Sequence, residues 1–129
     1  TSAYLDMPIN HKVFLAQFDA IKKLAEEESC VIVGRCADYI LQERSPLRLF
    51  VYADTDFKLA RCREKEQSME GETDAEMRRK INVIDRQRAR YYQFHTGRTW
   101  GDTSNYDLCI NTTSLDIKSV TAAIVRLFD

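Results

Sequence analysis

Three short runs of apolar, largely β-branched residues, interspersed with helical stretches, set the strongest limit on what this chain can fold into. They are CVIVGR at 30–35, LRLFVYAD at 47–54 and YDLCINT at 106–112. Val31, Ile32 and Val33 put apolar groups on both faces of the first run, which predicts a strand covered on both sides, as in a parallel sheet. Ahead of it, Phe14, Phe18, Ile21 and Ala25 recur at helical spacing over about 11–28, with Lys12, Lys22, Lys23 and Glu26 to Glu28 elsewhere. Such a helix should pack on something flat. After the second run, DTDFKLARCREKEQ reads as a helix capped by Asp54 or Thr55. Another starts at Thr73, with Glu76 at the capping-box spacing, and runs to Thr96 before Gly97 stops it. A last helix carries Val120, Ile124 and Leu127 on one face. This alternation predicts an α/β fold of three layers, a mostly parallel sheet with flanking helices, in a single domain over residues 1–129. Ligands of such sheets bind beyond the carboxyl ends of the strands, here Gly34-Arg35, Ala53-Asp54 and Asn111-Thr112-Thr113.

Composition narrows the function classes. Lys and Arg number 19 against 20 Asp and Glu, so net charge offers no argument for nucleic acid or membrane. No membrane-length apolar run and no signal-peptide pattern is present, and a cytoplasmic protein is expected. Cys30, Cys36, Cys62 and Cys109 form no C-x-x-C pair, which favours reduced structural thiols over a zinc site. The 4 glycines compare with roughly nine at average usage, so a glycine-rich phosphate loop is poorly supplied.

Arg35, at the end of the first run, can present a fork of donors to a phosphate or carboxylate, and Asp38 is close enough to read a ligand's hydrogen-bonding edge. A salt bridge between loops is the other reading of that pair. From Arg78 to Arg98 there are seven basic residues (Arg78, Arg79, Lys80, Arg86, Arg88, Arg90, Arg98) and a single acidic one, Asp85. Arg79, Arg86 and Arg90 share a helix face while Met77, Ile81 and Ile84 line another. Guanidinium groups converging on one side suit polyphosphate, and a solvated basic face is the alternative. The aromatics Tyr91, Tyr92, Phe94, Trp100 and Tyr106 either anchor a core or stack single-stranded RNA. His11 and His95 stand far apart in sequence, outside any recognisable nucleophile context, so no hydrolase triad is visible.

In order, CVIVGRCADYIL, RLFVYA, FKLARCRE, KINVIDRQRARYY and TGRTWGDTSNYDLCINTT resemble the cytidylate kinase-like family of P-loop nucleoside monophosphate kinases, over nearly the whole chain from about residue 8. The resemblance implies a P-loop kinase-like fold with a helical, arginine-rich lid at about 61–98. It implies transfer of a phosphoryl group from ATP, with Mg²⁺, to a nucleoside monophosphate of the CMP or dCMP type. Arg35 would hold the acceptor phosphate, and Asp38 would lie near the acceptor base. Arg86 and Arg90, in the DRxxR positions, would be the catalytic lid arginines, and Asn111, Thr112 and Thr113, continuing to Ser114, would border the ATP base. No metal ligand is assigned. The chain departs from the family pattern at Cys36, where an acidic residue follows the Gly-Arg pair, and at Gln87, where the lid motif has Asp. It also holds no G-x-x-x-x-G-K-S/T loop and no Gly-Lys pair. The family's first strand lies between those matching 30–34 and 48–53. The resemblance therefore implies the C-terminal two-thirds of a kinase, active in full-length form and inactive as this chain alone. The sheet would be completed by the missing strand or by a second copy, through edge pairing or swapping. A nucleotide-sensing or interaction module without catalysis is the alternative, followed by a single-stranded RNA binder; no membrane partner is expected.

Overall fold

A computed structural model describes residues 2–65 and 71–129, with side chains from residue 11 onward. Helix α1 (Ser2–Glu27) leads into a turn and the short α2 (Ala37–Ile40). Then follow strand β1 (Leu49–Tyr52), helices α3 (Thr55–Lys65) and α4 (Asp74–Thr96), strand β2 (Leu108–Asn111) and helix α5 (Ile117–Val125). Single 3-10 turns occupy Gln42–Arg44, Thr103–Asn105 and Arg126–Phe128. None of the described helices is long and apolar enough to cross a membrane.

The two strands are parallel and in register from Leu49 opposite Leu108 to Tyr52 opposite Asn111. Parallel neighbours need a long crossover, which the α3–α4 hairpin supplies. Polar clamps close both ends of the ladder. At the entry, the Asp107 carboxylate accepts from the Arg48 backbone N–H at 2.7 Å and from its guanidinium at 3.1 Å. At the exit, the Asp54 N–H donates to Thr113 Oγ1 at 2.9 Å, and the Thr112 N–H donates to the Tyr52 carbonyl at 2.8 Å.

The first apolar run departs from expectation. Residues 30–34 form no strand, and Val31 and Val33 are 94% and 89% exposed. A strand exists only where a neighbour takes up its N–H and C=O groups, and no described segment lies in register beside this one. Val51 of β1, though paired with Ile110, is 58% exposed, because no layer of the described residues covers its face of the sheet. The described residues thus make a mixed α/β fold around a two-stranded parallel sheet with flanking helices. The third predicted strand and its double covering are not part of it.

Helix boundaries follow the sequence signals closely. Thr73 Oγ1 accepts from the Glu76 N–H, and Glu76 Oε2 accepts from the Thr73 N–H, each at 3.2 Å. At the other end Gly97, with φ 71°, returns its N–H to the Gln93 carbonyl at 2.8 Å. Asp54 caps α3 by accepting from the Phe57 N–H at 2.8 Å. Helix α1 begins nine residues before the predicted start at 11, at Ser2. It packs on α2 and the C-terminal half of α4, where Phe14 stacks on His95 at 3.9 Å, rather than on a flat sheet.

Two apolar clusters hold these elements together. Phe14, Ile21, Cys36, Ala37, Ile40, Leu41 and Tyr92 join α1, α2 and α4. Leu59, Met77 and Ile81 weld α3 to α4, while Ile84, expected beside them, is 43% exposed. Phe50 on β1 gathers Trp100 edge-on at 5.1 Å and Tyr106 at 4.9 Å. Gly101 sits against that ring: a Cβ there would lie 3.2 Å from Phe50 Cζ, and its φ of +84° is strained for any L side chain. Gly101→Ala is therefore expected to destabilise the fold by about 1–3 kcal/mol, read as a lower urea midpoint with an unchanged m-value.

Candidate functional site

Gly34, Arg35 and Cys36 all take positive φ, at 70°, 59° and 58°. Two of these are not glycine, and each costs of order 1–3 kcal/mol unless the surroundings compensate. Compensation comes from Cys36, which is 4% exposed and belongs to the cluster with Phe14, Ile40 and Tyr92. Burial, reinforced by the Asp38 charge, pushes its thiol up to about 11. Cys36 is thus an apolar plug beneath the turn.

The plug fixes its neighbours. Arg35 is exposed, with its guanidinium facing the Tyr91 hydroxyl. Asp38 accepts from the Tyr92 hydroxyl at 2.7 Å. Burial and that bond hold the Tyr92 phenol well above its usual range. Arg98 lies over the Tyr39 ring and donates to Gln42 Oε1 at 3.0 Å. The Arg35–Asp38 turn is therefore docked on α4 at Tyr91 and Tyr92.

Along α4 the basic residues divide into two sets. Arg78 pairs with Asp56, Lys80 with Glu72, and Arg88 with Asp85. Asp85 also takes Lys58 at 2.7 Å, tying α3 to α4. Arg79, Arg86 and Arg90 have no carboxylate within ion-pair distance among the described residues; Arg86 Nε donates only to the Asn82 carbonyl, at 3.3 Å. These three are the ones whose spacing placed them on one face. Beside them Asn82, Asp85, Arg86, Ala89 and Trp100 line an open groove of about 390 Å³.

Asn111, Thr112 and Thr113 sit at the carboxyl end of β2 as expected, but their side chains are largely used there. Thr112 Oγ1 donates to the Tyr52 carbonyl, Thr113 Oγ1 accepts from Asp54, and Asn111 Oδ1 accepts from the Thr113 N–H. No hydrogen bond or ion pair joins this trio to Arg35, Asp38, Arg86 or Arg90 among the described residues. Nor does any cluster of three His, Cys, Asp or Glu side chains suited to a metal ion occur among them.

Tyr92 as the tether of Asp38 and the Trp100 groove were not foreseen. Tyr92 lies 54 residues from its partner, and no local pattern marks a hydrogen bond at that range. Because the folded Cys36 thiol holds its proton more tightly than an unfolded one, its contribution to stability is intact below about pH 9 and lost as pH rises toward 11. Denaturation midpoints measured between pH 8 and 11 should fall, and Cys36→Ala should flatten that fall.

The cytidylate kinase-like family model matches residues 1–114. A search of curated proteins finds no match. Among solved structures, an uncharacterized protein from Eubacterium ventriosum ATCC 27560 is similar at 33% identity and a TM-score of 0.80, over 89% of this chain. The chain spans 64% of the length of that protein. With the family model covering everything from α1 to just past β2, the chain belongs to the cytidylate kinase-like family.

Proposed function

We propose that this protein binds nucleotides and serves phosphoryl transfer from ATP to a nucleoside monophosphate of the CMP or dCMP type. The division of cations on α4 carries the reading. Arg78 and Arg88 are engaged by Asp56 and Asp85, whereas Arg86 and Arg90, on one face and without acidic partners among the described residues, suit the spread charge of a transferring phosphoryl group. Such transfer depends on positioning and charge neutralisation more than on covalent chemistry, so a rigid helix bearing guanidinium groups is the fitting part.

In this reading Arg35 takes the acceptor phosphate from a turn whose backbone is locked by the Cys36 plug. Asp38 Oδ2 is held by Tyr92, which leaves Oδ1 to accept from an exocyclic amine such as that of cytosine. With Thr112 and Thr113 committed to the strand end, the amide donors of Asn111 are what this segment offers the ATP base. In this reading Mg²⁺ would be held chiefly by the nucleotide phosphates, since no cluster of three His, Cys, Asp or Glu side chains occurs among the described residues.

Equilibrium dialysis with ATP and CMP tests the proposal. Arg86→Gln and Arg90→Gln should each weaken ATP binding about tenfold or more, the equivalent of losing one charge-assisted contact. Lys80→Gln makes the same charge change at a residue paired with Glu72 and should weaken it by less than about twofold, as an exposed ion pair would. Equal losses in all three variants would sink the reading in favour of a diffuse basic face.

A further inference from the structure

We propose that Tyr92 is the positioning residue that makes the site prefer a pyrimidine bearing an exocyclic amine over one bearing a carbonyl there, by holding the Asp38 carboxylate with one oxygen toward the ligand. The inference rests on the nucleotide reading above and adds to it the origin of base selectivity. Arg35 and Asp38 stand three residues apart in one turn, a spacing at which an arginine and an aspartate can neutralise each other. No ion pair joins them, nor either of them to any other described charge. Consecutive residues of α4 keep them apart: the Arg35 guanidinium faces Tyr91, and Asp38 is bonded to Tyr92. Successive helical positions diverge by about 100°, so the two side chains are drawn in different directions. Each stays available to a different end of one ligand.

Tyr92 sets the direction of the bond as well as its place. A carboxylate only accepts, so the phenol must donate to Oδ2, at 2.7 Å. Burial and that bond keep the proton on the phenol. Tyr92 is 5% exposed within the cluster of Phe14, Cys36 and Ile40, and its carbonyl accepts from the Thr96 hydroxyl at 2.6 Å, so neither ring nor backbone is free to turn away. Arg98, which also faces this phenol, is engaged by Gln42 Oε1 at 3.0 Å and by the Tyr39 ring, and forms no ion pair with Asp38. Asp38 Oδ1 has no hydrogen-bond partner among the described residues and is not sealed from solvent. Cytosine presents an N4 amine that donates to such an oxygen, whereas uracil presents an O4 carbonyl, and two acceptors facing each other repel. Oδ1 is thus a filter whose aim depends on Tyr92.

Equilibrium dialysis of this chain with CMP, UMP and ribose 5-phosphate tests the assignment. CMP should bind about tenfold or more tighter than UMP, the equivalent of one charge-assisted hydrogen bond. Tyr92→Phe keeps the ring in its cluster and should narrow that ratio to about threefold or less. Its ribose 5-phosphate affinity should be unchanged, because Arg35 faces Tyr91 instead. Asp38→Asn gives a sharper test. Its amide oxygen takes the Tyr92 hydrogen bond, which turns the NH₂ to the ligand, so the preference should invert to UMP. Adding Tyr92→Phe to Asp38→Asn frees the amide to turn and should bring the two nucleotides within about twofold of each other. A chain that binds no CMP overturns the nucleotide reading and this inference with it, and equal binding of CMP and UMP overturns base selection by Asp38. A CMP preference that Tyr92→Phe leaves intact, or an inversion that survives its addition to Asp38→Asn, overturns the positioning role alone. Should Tyr92→Phe also lose ribose 5-phosphate, the turn has come undone, and Asp38→Asn by itself decides: without inversion to UMP the positioning role falls.

Discussion

Helix α4 is the constraint on which the other parts depend. Its first half is joined to α3 by Met77 and Ile81 and by the Lys58–Asp85 ion pair. Its second half receives α1 through the Phe14–His95 stack and the 34–38 turn through Tyr91 and Tyr92. Arginine positions between those two attachments cannot drift, because the helix is anchored on both sides of them. Electrostatics follows from packing here: burial decides which face of α4 is apolar, ion pairs with Asp56, Glu72 and Asp85 engage one set of cations, and Arg79, Arg86 and Arg90 are exposed without such a partner among the described residues.

The 34–38 turn shows the same dependence at smaller scale. Left-handed backbone at Arg35 and Cys36 is unfavourable by itself, and it persists because the Cys36 side chain is buried in the α1–α4 cluster. Cys36 is thus a packing group, and the polar side chains of the turn are those of Arg35 and Asp38.

Local features were legible in the sequence. The Thr73–Glu76 capping box, the Gly97 stop, the Asp54 cap and the shared face of Arg79, Arg86 and Arg90 are all set by residues within a few turns of one another. What was illegible depended on distant partners. Val31 to Val33 carry the composition of a buried strand, yet pairing is a property of two segments, and one segment cannot reveal whether a neighbour is in register. Tyr92, one of the aromatics that by sequence either anchor a core or stack on RNA, anchors the core, while its hydroxyl bond to Asp38 depends on the way the turn docks. Trp100 likewise becomes a groove wall only after β1 brings Phe50 beneath it.

The parallel ladder has a kinetic side. Leu49 and Leu108 meet across a separation of 59 residues, so each sheet contact must overcome the closure entropy of a long loop before it is rewarded. The α3–α4 hairpin closes over a far shorter span, from Leu59 to Met77, and can assemble first. Once formed, that hairpin shortens the effective distance the strands must bridge. The element that carries the arginines is then also the one that makes the sheet's pairing reachable, and a substitution that loosens α3 from α4 would slow the folding of strands it never touches.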